Sequence, residues 1–176
     1  MITAHQLNEV LVELTHSAKT NLQRFPEKDI PTTFFLLKEN KGGIAVAVLP
    51  PSMIGYSKGS FSSLLQYLAD HKTIDGYVLV SEAFMVKVST RDRPQGSVRN
   101  HPDRVEVLLG LASASVTDQA IVFQINRNFV GEVVDFGDYQ IDDIGRLAGF
   151  FNVQWSGRLR RPSGDGADDS PTFELF

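Results

Sequence analysis

The stretch Tyr77-Val78-Leu79-Val80-Ser81-Glu82-Ala83-Phe84-Met85-Val86-Lys87-Val88 decides how the rest of the chain is read. Its side chains are mostly β-branched or aromatic, the types that fit a pleated, half-buried surface, so it is expected to be a long strand. Just upstream, Phe61, Leu64, Leu65 and Leu68 recur at spacings of three and four, the signature of one helical face. Further back, Thr33-Phe34-Phe35-Leu36-Leu37 and Ile44-Ala45-Val46-Ala47-Val48-Leu49 flank the turn-forming Asn40-Lys41-Gly42-Gly43. Two apolar runs around such a turn predict a hairpin. Their continuous apolarity predicts burial on both faces. Strand, helix, strand is a βαβ unit, so the second and third strands are expected to run parallel.

Working outward, Leu7, Val10, Leu11, Leu14, Ala18, Leu22 and Phe25 predict an N-terminal amphipathic helix. Thr3 and Gln6 form a capping-box pattern before it, and Pro26 closes it. Downstream, Val105 to Leu111, Ala120 to Ile125 and Val130 to Phe136 read as an antiparallel meander. Residues Ile141 to Phe151 read as a last helix, with Asp142 and Asp143 in its first turn. The fold class expected is mixed α/β (α+β): one domain over residues 1–155 with a sheet of about six strands, mixed in direction. It has one βαβ crossover, an antiparallel meander, and helices mainly on one face. Residues 156–176 are expected to form a flexible polar and acidic tail, because Gly, Ser and Asp there bury too little apolar area to offset ordering.

A hydrophobic content of 42% is enough for one core, and a length of 176 residues suits one domain. The net charge of −4 argues against a general nucleic-acid coat or a binder of anionic membranes. With no cysteine there is no disulfide framework and no thiol nucleophile. No signal-like N-terminus or long apolar run is present, so a cytoplasmic protein with no membrane association is expected.

Three groups of residues bear on function. Gly55-Tyr56-Ser57-Lys58-Gly59 matches the G-x-S-x-G pattern, but Pro50-Pro51-Ser52 stops the strand too early for a nucleophile elbow. What remains is an N-terminal helix turn able to attract an anion, assisted by Lys58, or a plain capped turn. The segment Arg91 to Arg104 is locally basic, and parallel strands would bring it to the rim of that turn. The candidate anion-binding set is therefore Ser57, Lys58, Arg91, Arg93, His101 and Arg104, with solvated Arg–Asp pairs as the structural alternative. Glu82 shares a strand face with Val78, Val80, Phe84 and Val86, so its carboxylate is buried or lines a pocket and requires a partner. Arg104 and Arg127, both at strand ends, are the candidate partners. Glu82 with His101, Asp103 and Glu106 would offer hard ligands to a divalent ion, although an ion-pair network including Glu106 and Arg127 is the reading expected. No metal and no cofactor is assigned.

The ending Thr172-Phe173-Glu174-Leu175-Phe176, after Asp165 to Asp169, resembles peptides that dock onto the bacterial sliding clamp. It also resembles the acidic, phenylalanine-terminated tails of bacterial single-strand DNA-binding proteins. That resemblance implies a partner-docking role for Phe173, Leu175 and Phe176; folding back on the chain's own domain is the other outcome. Val80-Ser81-Glu82-Ala83-Phe84-Met85, with His101-Pro102-Asp103-Arg104-Val105-Glu106-Val107, resembles uncharacterised bacterial and phage proteins with an E-A-aromatic-M strand and a P-x-R-x-E strand. It implies a bacterial or phage origin. The function expected is a non-enzymatic binding or assembly protein with an unidentified protein partner. The alternative is an enzyme acting on a phosphate-bearing or nucleotide substrate, with a metal at Glu82. An exposed strand edge would also admit a homo-oligomer.

Overall fold

The computed structural model describes residues 1–49, 58–86, 98–138, 153–155 and 172–175, with the backbone alone for 58–60 and 172–175. The first element is α1 (Ala4–Arg24), capped by Thr3, whose hydroxyl accepts from the Gln6 amide while the Gln6 side chain accepts from the Thr3 amide. Its buried stripe is Leu7, Leu11, Thr15, Ala18 and Leu22. The helix ends at Arg24 with Phe25 as its cap, and Pro26, next in the chain, has no amide to continue the ladder. Then come β1 (Thr33–Asn40), β2 (Gly43–Leu49), α2 (Lys58–Asp70) and β3 (Gly76–Val86). After a 3-10 turn at Val98–Asn100 follow β4 (Val105–Ala114), β5 (Asp118–Arg127), β6 (Val133–Asp138) and the short β7 (Thr172–Leu175). The helix read from Ile141 to Phe151 lies outside the described residues.

The chain is a single α+β domain with the strand order β2-β1-β3-β4-β5-β6, and β7 is added to β3. Every neighbouring pair is antiparallel, which corrects the mixed sheet expected from sequence. β2 and β3 do run the same way, but β1 lies between them. The reason is area. Thr33–Leu37 brings two phenylalanines and two leucines, so β1 takes the inner position, while the alanine-bearing β2 is left at the border. There β2 is mostly exposed, not buried on both faces.

Burial of both sides of β3 requires cover on both sides, and each helix supplies one apolar stripe. Leu7, Leu11 and Leu22 of α1 pack with Val78, Val80, Leu108 and Ile125 on one face. Phe61, Leu65 and Ala69 of α2 pack with Tyr77, Leu79, Ala83 and Val107 on the other, together with Trp155. The helices thus occupy opposite faces rather than one. Gly110 of β4 lets α1 come close, for a Cβ there would run into the Thr15 hydroxyl and lie 3.0 Å from Leu11 Cδ1. On the α2 side, the Gln66 side chain exchanges hydrogen bonds with the Gln154 backbone (2.7 and 3.0 Å), and Trp155 Nε1 donates to Ser113 Oγ at 2.9 Å. These contacts fix residues 153–155 on the core.

Candidate functional site: a buried carboxylate, its arginine and the adjoining strand slot

Strand alternation carries Glu82 to the α1 side of the sheet, beyond the end of the helix. It is fully buried. A carboxylate there must find donors, and the connector between α1 and β1 provides the first: the Ile30 amide donates to Glu82 Oε1 at 2.5 Å. Arg127, the last residue of β5, donates from Nη2 to Glu82 Oε2 at 2.7 Å and from Nε to Glu106 Oε1 at 2.7 Å. Its Nη1 reaches the carbonyls of Gly131 (2.9 Å) and Pro26 (3.2 Å). One guanidinium therefore joins β3, β4, the β5–β6 turn and the connector after α1. Next to Glu82, the Ser81 and Thr32 hydroxyls are 2.7 Å apart and buried.

Glu82 and Glu106 share one cation at 2.7 Å, and the exposed Asp29 carboxylate lies 3.5 Å from its Nη2, so the cluster carries an excess negative charge when these groups are ionised. Burial pushes the Glu82 carboxyl up from 4.5 to about 7, and Glu106 adds to the rise as hydrogen-bond partner and like charge. The Ile30 amide and the Arg127 charge oppose it. Arg127 is raised: burial works against its charge, but Glu106 and Glu82 outweigh that. A proton on Glu82 leaves its nearest charges, Arg127 and Glu106, as a neutral pair, which is the arrangement a low-dielectric site favours.

Of the candidate partners for Glu82, Arg127 occupies the place, while Arg104 stands elsewhere. The Arg104 guanidinium lies over the Phe84 ring at 4.9 Å, with that of Arg99 at 5.8 Å, and it donates to the Arg99 carbonyl. His101 Nδ1 accepts from the Asp103 amide at 3.1 Å. Ser57, Arg91 and Arg93 lie outside the described residues, and Lys58 opens α2. Alternation from Glu82 puts Phe84, and hence Arg104, on the α1 side, whereas α2 covers the other face. His101 and Arg104 share one turn, in which the Arg104 amide donates to the His101 carbonyl at 3.2 Å. Both Glu82 oxygens are occupied by donors, and among the described residues no group of three or more His, Asp or Glu is placed to hold a metal ion.

Sequence reasoning missed the strand slot beside this cluster. β1 pairs with β3 only from Gly76 to Val80, so the same edge of β3 is open from Ser81 onward. β7 fills it, with Thr172 opposite Val86, Phe173 opposite Met85, Glu174 opposite Phe84 and Leu175 opposite Ala83. Residues 172–175 are therefore a strand on the domain, which is the fold-back arrangement of this ending. Phe176 lies outside the described residues. The available signal was the alternation in Thr172-Phe173-Glu174-Leu175, but its target depends on the β1–β3 pairing ending at Thr33 opposite Val80. No helix among the described residues is long and apolar enough to cross a membrane. Compared with known proteins, the chain matches no family profile, no curated protein and no solved structure.

Proposed function

We propose that this chain is a non-enzymatic binding or assembly protein of bacterial or phage origin, and that its working element is the strand Thr172–Leu175. The observation that carries the reading is the antiparallel pairing of that strand with Ala83–Val86, on the same edge of β3 that β1 leaves unpaired. Strand addition of this kind draws affinity from main-chain hydrogen bonds and specificity from alternate side chains. A four-residue strand makes few such bonds, and it reaches the slot through a Gly-, Ser- and Asp-rich stretch at 156–170. Such a strand can leave its own slot and pair elsewhere at modest cost, and its slot can receive an equivalent strand. The basic side chains Arg99 and Arg104 over Phe84 suit a strand that brings an acidic residue to that position, as Glu174 does. The lack of cysteine fits a reducing, cytoplasmic setting.

The test is binding of a labelled peptide of sequence Pro171–Phe176 to a chain ending at Trp155, whose folding is checked by circular dichroism. Saturable binding is expected. At least tenfold weaker binding is expected to the full chain, where the tethered strand competes at an effective concentration in the millimolar range. No binding to the folded, shortened chain refutes the proposal. A saturable rise in melting temperature with phosphate or nucleotides would instead favour the phosphate-site enzyme.

A further inference from the structure

The two borders of the sheet are built differently. β6 carries exposed Asp135 and Asp138, and charge on a border strand discourages pairing with another chain. β2 carries no such guard: its seven residues, Gly-Ile-Ala-Val-Ala-Val-Leu, include no charge and no proline. One side of β2 pairs with β1 from Gly43 to Leu49, and among the described residues no strand pairs with the other side. Alternate residues of an antiparallel strand turn their N–H and C=O groups away from the first neighbour, so a row of backbone groups faces that open side. The side chains are equally uncovered, with Val46 45% and Val48 57% exposed. Ile44, Val46 and Val48 stand on the same face as Phe35 and Leu37, their neighbours across β1. That is the face covered by α1, but α1 packs mainly over β3, β4, β5 and β6, so that Ile44 is partly buried while Val46 and Val48 stay exposed.

We infer that β2 is the interface of a two-fold homodimer, in which the β2 strands of two copies add antiparallel to each other with Val46 on the axis. The occupant follows from charge and symmetry. An uncharged, β-branched edge needs an uncharged, extended partner, and among the described residues the border strand that meets this requirement is β2 itself. Joining β2 to β6 of a second copy would set Asp135 and Asp138 beside valines, and the head-to-tail contact would not close. Self-pairing about Val46 closes and keeps parity: Ile44 meets the partner's Val48, and Val46 meets the partner's Val46. The three β-branched pairs then lie on one face and cover each other, which is the cross-strand contact that stabilises sheets. This inference does not depend on the strand at 172–175, because the two sit on different strands of the sheet.

The test uses the full chain in analytical ultracentrifugation across the micromolar range. The wild-type protein is expected to sediment at twice the chain mass. Val46→Lys and Val46→Glu each place like charges on the axis, and both are expected to be monomeric with unchanged circular dichroism. An equimolar mixture of the two is expected to regain the dimer, since Lys then faces Glu. If Val46→Lys does not fold, Val48→Lys replaces it, with Ile44→Glu as its complementary variant, since Ile44 meets the partner's Val48; each is expected to be monomeric alone and the mixture to regain the dimer. A monomeric wild-type protein, or charged variants that dimerise as well as wild type, overturns the inference.

Discussion

Replacing Glu82 by glutamine tests whether the buried carboxyl is held protonated. Glutamine keeps an acceptor for the Ile30 amide and fills nearly the same volume, but it cannot titrate. In the wild type, the folded-state value is about 7 against 4.5 for the free side chain. The folded protein then binds more protons than the unfolded chain between these values. Stability from Glu82 is thus fully present below 4.5 and lost as pH rises through about 7. Integrated between about pH 5 and about pH 8, the loss is about 2.5 kcal/mol. For a chain of this size that is about 5–10 °C in melting temperature. Trp155 is the one tryptophan and is buried, so its fluorescence reports unfolding. Urea titrations of both proteins at the two pH values should show the wild type losing that amount relative to Glu82→Gln. Parallel behaviour of the two proteins refutes the protonated-carboxyl account.

Two further substitutions probe the same architecture. Arg127→Met removes the donor to Glu82 Oε2, Glu106 Oε1 and the Gly131 carbonyl, and one of the two donors to the Pro26 carbonyl, and is expected to cost about 3–5 kcal/mol. The loss should be larger at about pH 8 than at about pH 5, because at lower pH Glu82 can shed its charge; a pH-independent loss in urea titrations contradicts the cluster's electrostatics. Gly110→Ala drives a methyl into Thr15 and Leu11 and is expected to cost about 1–3 kcal/mol by displacing α1. An unchanged urea midpoint would mean that helix and strand do not meet there.

Much of the fold was legible because its signals are local. The α1 stripe and its Thr3 cap, and the β-branched runs of β3 to β5, specify their elements without help from elsewhere. The lateral order of strands was not legible, because it depends on comparing β1 with β2 as competitors for the inner position. Two phenylalanines against two alanines decide that contest only once the hairpin is considered as a unit facing β3. Glu82 was legible as a buried group from alternation alone, and Arg127 as a candidate partner from its position at a strand end. The Ile30 amide and the Pro26 carbonyl were not, since backbone groups of a connector leave no side-chain signature. The slot beside Ser81 and Glu82 depends on where β1 stops, a tertiary fact that periodicity does not encode.

The functional account rests on the edge of β3 from Ala83 to Val86 being a receiving site for a strand. Hydrogen exchange on the full chain and on a chain ending at Pro171 measures this directly, residue by residue. The account predicts that the amides of Ala83–Val86 facing away from β4 are protected in the full chain and lose that protection on shortening. It also predicts that added Pro171–Phe176 peptide restores it. Equal exchange at Ala83–Val86 in both chains would contradict it.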